Sequence, residues 1–258
     1  MMKRALLVFL LAATLPAVMP AQGRGGPPPP PRPAREAAPV DLTGNWVSVV
    51  TEDYRWRMVT PLKGDSASVP LNKDGLKLVD AWDPAKDEAA GLQCKSYGAP
   101  AIMRVPGRLR IAWTDDSTLK IETDAGTQTR TFHFSGQPPQ GAAPSWQGYS
   151  SARWEPGPQR SGGFGLGTRT EGTESRSLEV VTTQLRAGYL RKNGVPYSER
   201  TSVTEYYDRF DEPNGDQWFT VTTVVTDPVY LSIPFVTTTD FKKERDGAKF
   251  SPSACAAR

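Results

Sequence analysis

Glu205, Tyr207 and Arg209 alternate with Val203 along residues 202–210, so an extended chain would place all four on one face. A carboxylate beside a phenol and a guanidinium can exchange a proton or hold a polar group of a ligand. On an enclosed face Glu205 would need a partner for its charge. On a solvated face Glu205 and Arg209 form an ordinary surface pair, and the scarcity of buried charges favours that outside placement. His133 is the sole imidazole; it alternates with Thr129 and Thr131, opposite Phe132 and Phe134. A lone histidine can serve as a base near neutral pH, yet no Gly-x-Ser-x-Gly nucleophile segment accompanies it, and a structural role is expected. Among seven tryptophans, Trp113 closes an alternating apolar run and is suited to line a cavity. Trp113, Glu205 and Tyr207 are therefore the candidate ligand-binding residues, and no residue is assigned a catalytic role.

Other patterns carry less chemistry. Residues 161–172 contain Gly163, Gly165 and Gly167, but no helical periodicity and no Gly-Lys-Ser/Thr follows them. A phosphate loop needs both, so a Gly-rich insertion is the reading. Asp115, Asp116 and Asp124 occupy positions where turns favour aspartate, and a calcium site needs six or more oxygens from a fixed loop. One histidine and two cysteines fall short of the usual zinc, haem and His-triad sets. No metal and no cofactor is expected.

Charge also restricts the partners. The chain carries 31 Lys and Arg against 28 Asp and Glu; without Lys3 and Arg4, which lie in a segment expected to be removed, the excess falls to +1. A nucleic-acid or anionic-membrane binder would need a basic surplus. Lys3 and Arg4 precede an apolar run, residues 5–13, in the layout of a signal peptide ending at Gly23. That run is shorter than the ~20 residues of a membrane span. Residues 24–39 are Pro-rich and predict an extended, solvated spacer. A periplasmic or secreted protein follows as the expectation.

The elements that must position these side chains are strands. From Val40 onward β-branched and aromatic residues alternate with polar ones between Gly, Asp, Asn and Pro. Strands are predicted over 43–50, 108–113, 119–123, 127–134, 145–154, 178–185, 202–210, 217–225 and 234–242. Asn214-Gly215 favours a tight turn with positive φ at both central positions. Asp83 as cap and Pro84 as first residue predict a short helix over 84–93, with a further turn or two over 74–82. Gly and Pro make up 47 of 258 residues, which excludes a helical bundle. So many consecutive antiparallel strands must close or be covered, and an up-and-down barrel, or a strongly curved sheet, with one or two short helices is the expected fold of residues 40–258.

The segment Asp41-Leu42-Thr43-Gly44-Asn45-Trp46 resembles the Gly-x-Trp opening of lipocalin-like (calycin) barrels. The resemblance implies that Trp46 plugs the barrel base and that Lys242, Lys243 or Arg245 covers it. A second resemblance is carried by Arg153-Trp154-Glu155, Leu178 to Thr183, Asn193 to Ser198, Glu205, Asp227-Pro228 and Pro234-Phe235. This pattern is similar to the C-terminal half of uncharacterised secreted β proteins of soil bacteria, interrupted here by the insertion at 156–177. It implies a secreted β fold and no particular activity.

Export would bring the only two thiols, Cys94 and Cys255, into an oxidising compartment, where they are expected to pair. The function expected is that of an exported lipocalin-like module whose interior holds a small apolar or amphipathic molecule. Two alternatives stand beside it. One is an enzyme acting on such a ligand through Glu205 and Tyr207; the other is a structural envelope protein.

Overall fold

A computed structural model describes residues 32–155 and 177–258. The expected signal peptide, the first half of the Pro-rich tract and the Gly-rich insertion up to residue 176 lie outside the described residues. The strands are β1 (Gly44–Val49), β2 (Arg108–Trp113), β3 (Thr118–Thr123), β4 (Gln128–His133), β5 (Tyr149–Trp154), β6 (Ser177–Thr183), β7 (Gly188–Arg191), β8 (Val195–Tyr197), β9 (Ser202–Asp211), β10 (Gln217–Thr226) and β11 (Phe235–Glu244). Four short helices, α1 (Tyr54–Arg57), α2 (Lys73–Ala81), α3 (Pro84–Ala89) and α4 (Ala99–Ile102), lie between β1 and β2. No helix among the described residues is long and apolar enough to cross a membrane.

Nine strands close a barrel in the order β1-β11-β10-β9-β6-β5-β4-β3-β2, while β7 and β8 form a separate hairpin. The mainly β barrel with short helices is as expected, with one difference. Directions cannot alternate completely around a ring of nine, so one neighbouring pair must run the same way. That pair is β4–β5, joined in parallel through Phe132–Ser150 and His133–Ser151 only.

Alternation decides which side chains fill the interior. Leu109, Ile111, Leu119, Ile121, Phe132, Leu178, Val180, Phe219, Val221 and Phe241 point inward and are buried in one core. Trp46 is completely enclosed at its edge and donates from Nε1 to the Leu42 carbonyl at 2.9 Å. Its ring meets Phe219 edge to face at 4.7 Å. Among the three basic candidates it is Lys243, directly across from Trp46 in the β1–β11 register, whose Nζ lies 5.4 Å over the ring. The same lysine accounts for Gly44. Its φ is +119°, and a Cβ there would stand 3.0 Å from Lys243 Cε. Replacing Trp46 by Phe keeps an aromatic filler but orphans the Leu42 carbonyl, and is expected to cost about 2 kcal/mol in urea denaturation. A variant as stable as wild type would show that Trp46 does not anchor this end.

Several local expectations are corrected. The 74–82 and 84–93 helices become α2, capped by Asn72, and a shorter α3, capped by Asp83, followed by a 3-10 turn at Gln93–Tyr97. Single-turn helices α1 and α4 are too short for sequence periodicity to register. The hairpin at Asn214-Gly215 exists, but only Gly215 has positive φ, and residues 212–216 make a wider loop in which Asn214 accepts from Asp216 N. Residues 32–39 are not a free spacer: Arg35 N donates to the Asp116 carbonyl and Trp154 Nε1 to that of Ala34. Helices α2 to α4 and the β7–β8 hairpin build a second layer against one part of the barrel, with its own core of Val79, Leu190, Val195, Tyr197, Val203 and Leu231.

Candidate functional site

Glu205 and Tyr207 face the barrel interior, which corrects the outside placement favoured by charge scarcity. The partner of Glu205 is Arg130 on β4, not Arg209. Arg130 donates to Oε1 at 2.8 Å and Oε2 at 2.6 Å, a two-pronged pair with both side chains wholly enclosed. Tyr207 completes the cluster, 3.3 Å from Glu205 Oε1 and 3.4 Å from Arg130. Thr182 accepts from Arg130 at 3.3 Å and is 2.8 Å from Ser150. Burial, the largest single influence, pulls the Arg130 guanidinium down, but Glu205 and Tyr207 together more than offset this and hold it above its ordinary range. Burial, then Glu205, pushes the Tyr207 phenol well up, so it stays a hydrogen-bond donor. Arg209 turns to Asp211 instead.

Arg130 is the functional-looking residue that sequence reasoning passed over. Its signal was the phase of the strand: Arg130 alternates with Phe132, the buried side, and His133 with the outer side. His133 lies on that outer side, half-buried and stacked on Tyr149 at 4.7 Å. Trp113 is elsewhere again, tilted against Phe134 and beside a 300 Å³ recess with Asp41 and Thr43. The three candidate residues are thus split: two share a packed interior with no surface facing an opening, and the third lies on a polar recess.

An aromatic-walled opening lies outside the barrel, between α2, α3 and the β7–β8 hairpin. It encloses about 320 Å³ and is walled chiefly by Trp82, Tyr189, Tyr197, Tyr230, Leu78 and Pro196. Gly194, with φ +81°, permits this wall: a Cβ there would fall 2.1 Å from the Trp82 ring. Tyr197 similarly packs its hydroxyl where the Cβ atoms of Gly98 and Gly188 would be, 2.3 and 2.6 Å away. Neither Trp82 Nε1 nor the Tyr197 hydroxyl has a partner among the described residues, although both are buried. On the polar side, Asp87 accepts from Tyr189 at 2.8 Å and from Lys95 at 2.7 Å. The two charges therefore cancel locally. Burial, then Asp87, raises the Tyr189 phenol above its ordinary range, so it too remains protonated.

Among the described residues no group of three or more His, Cys, Asp or Glu is placed to hold a metal ion. No protein-family model, curated protein or solved structure matches the chain.

Proposed function

We propose that this chain is an exported binding module that holds a small, neutral, largely apolar molecule in the aromatic cavity beside the barrel, not in the barrel interior. The observation that carries the reading is the pair of buried donors, Trp82 Nε1 and the Tyr197 hydroxyl, on a 320 Å³ aromatic cavity. A ligand carbonyl or ether oxygen would satisfy one of them, while the cancelled charges of Asp87 and Lys95 make no demand for a charged ligand. The packed interior supports the displacement of the site: Glu205 and Tyr207 present no surface to a ligand or a substrate. Export is supported by the signal-peptide layout, the resemblance to secreted β proteins and the pairing of Cys94 with Cys255, a bond typical of oxidising compartments.

The test uses a neutral probe, N-phenyl-1-naphthylamine. Uptake should raise probe emission and quench tryptophan emission, and Ala187→Phe, which fills the cavity from its wall, should weaken binding at least about tenfold. Uptake unchanged in Ala187→Phe would place the site elsewhere. No uptake by the wild-type protein would favour the structural envelope reading.

A further inference from the structure

The structure assigns a second site, for a phosphate or sulfate group, to the cavity lined by Arg57, Arg104 and Arg191. This cavity of about 140 Å³ lies between α1, α4 and β7, and Ser96 and Trp56 complete its wall. It is separate from the aromatic cavity: the 93–97 turn and β7 divide the two, with Lys95 and Tyr189 on one side and Ser96 and Arg191 on the other. The inference goes beyond the proposed function and does not rest on it.

Three guanidiniums, each at least nine-tenths buried, share this wall. Arg57 binds Glu52 at 2.6 Å and the Arg104 carbonyl at 3.0 Å. Arg104 binds Asp53 at 2.7 Å. Arg191 donates to the Ala67 carbonyl and Ser68 Oγ and lies 4.7 Å from the Trp56 ring, but it makes no ion pair among the described residues. Asp65, the next acid to hand, is engaged by Arg55. Lys192 adds another positive charge on the same cavity, its Nζ over the Tyr97 ring. Positive charge thus exceeds negative in a buried site, an arrangement that costs free energy until an anion arrives.

The hydrogen bonding is incomplete in the same place. Arg57 Nη2, Arg104 Nη1, Arg191 Nε and Ser96 Oγ are all buried without a partner among the described residues. Four donors on four residues suit a tetrahedral oxyanion, whose acceptors spread in three dimensions, better than a carboxylate, whose two oxygens share a plane. Burial, followed by repulsion from Arg104, brings the Arg191 guanidinium down to about 10 and lowers Arg57 as well. Both remain charged at neutral pH. Met58 and Val59 line the mouth and are substantially exposed, so the oxyanion can be free or the head of an apolar ester.

Calorimetry of the full exported chain with inorganic phosphate and with n-hexyl phosphate, at constant ionic strength in chloride, tests this. At least one should bind and raise the thermal midpoint of the wild type, and Arg191→Gln should weaken it at least about tenfold. Arg191→Gln strands no carboxylate but gives up the bonds to Ala67 and Ser68, so the two affinities are compared well below the midpoint of either protein. Hexyl phosphate binding at least about tenfold tighter than inorganic phosphate would identify an ester lying on Met58 and Val59; equal affinities would identify the free anion. Ala187→Phe should leave phosphate binding intact, which separates this site from the aromatic one. Should Arg191→Gln fail to fold, Ser96→Ala serves instead, with a loss of at least about threefold expected. Absence of binding to either compound in wild type, or affinity unchanged in the arginine or serine variant, overturns the assignment.

Discussion

Glu205→Gln is expected to lower the unfolding free energy by about 3–5 kcal/mol, a large part of the roughly 5–15 kcal/mol that holds a domain folded. Glutamine has nearly the same shape, so packing around residue 205 survives. What disappears is the negative charge facing Arg130, both of whose terminal nitrogens now point at the carboxylate. Arg130 Nε already lacks a partner among the described residues, and water cannot reach the wholly enclosed guanidinium. Arg130→Met should cost a similar amount by leaving Glu205 stranded. The double variant Arg130→Met with Glu205→Leu removes both charges together and should recover much of the loss, since apolar replacement of a buried pair is often neutral. Denaturation of the three variants in urea gives the cycle. Single variants within about 1 kcal/mol of wild type would show that the interior tolerates an unpaired charge. The position of the pair gives it a further consequence: Arg130 on β4 reaches Glu205 on β9 across β5 and β6, whose Ser150 and Thr182 continue the polar contacts. That strap spans the β4–β5 seam, where only two residue pairs join the strands. Faster amide exchange in β4 and β5 of Glu205→Gln, ahead of the other strands, is the expected local signature.

The barrel was legible because its signal is local. Alternation in the β2–β3–β4 meander, or in β9 and β10, needs only neighbouring residues, and the Gly44-Asn45-Trp46 segment falls in β1 with its tryptophan buried in the core. The β7–β8 hairpin escaped notice for a physical reason: six of its seven strand residues, all but Tyr189, are buried whichever way they point, because α2, α4 and the 93–97 turn pack against it. Burial on two sides erases period two. Charge scarcity misplaced Glu205 because it is a rule about unpaired charge, and the partner lay 75 residues away. Both cavities are hidden for the same reason of distance. Asp87 meets Tyr189 across 102 positions, and Arg191 meets Ser68 across 123; no window of sequence contains either wall. Trp113 illustrates the converse, since an aromatic at the end of a clear strand says which face it takes and nothing about what space that face adjoins.

Reducing the Cys94–Cys255 bond is expected to lower stability by up to about 5 kcal/mol, the loop-closure entropy of a link between residues 161 positions apart. The bond, with its Cα atoms 5.1 Å apart, ties a tail without regular structure to the 93–97 turn. Few other contacts hold that tail: Ser253 N donates to the Asp124 carbonyl, Thr127 Oγ1 to that of Ser253, and Ala256 N to the Tyr97 hydroxyl. Ala257 is the one residue of the last five that is buried. Once cut, the tail should fray, yet the barrel should remain closed, because β1 pairs with β11 upstream of residue 245. Guanidinium unfolding of oxidised and reduced protein should therefore show a lower midpoint and, because the reduced unfolded chain exposes more surface, a steeper slope. The turn that carries Cys94 also supplies Lys95 to the aromatic cavity and Ser96 to the arginine cavity. Reduction should accordingly weaken probe and phosphate binding before it unfolds the barrel, whereas a bond that only restrained the unfolded chain would leave both affinities untouched. Identical midpoints, or two freely alkylated thiols in protein purified without reductant, would remove the bond from any account of stability.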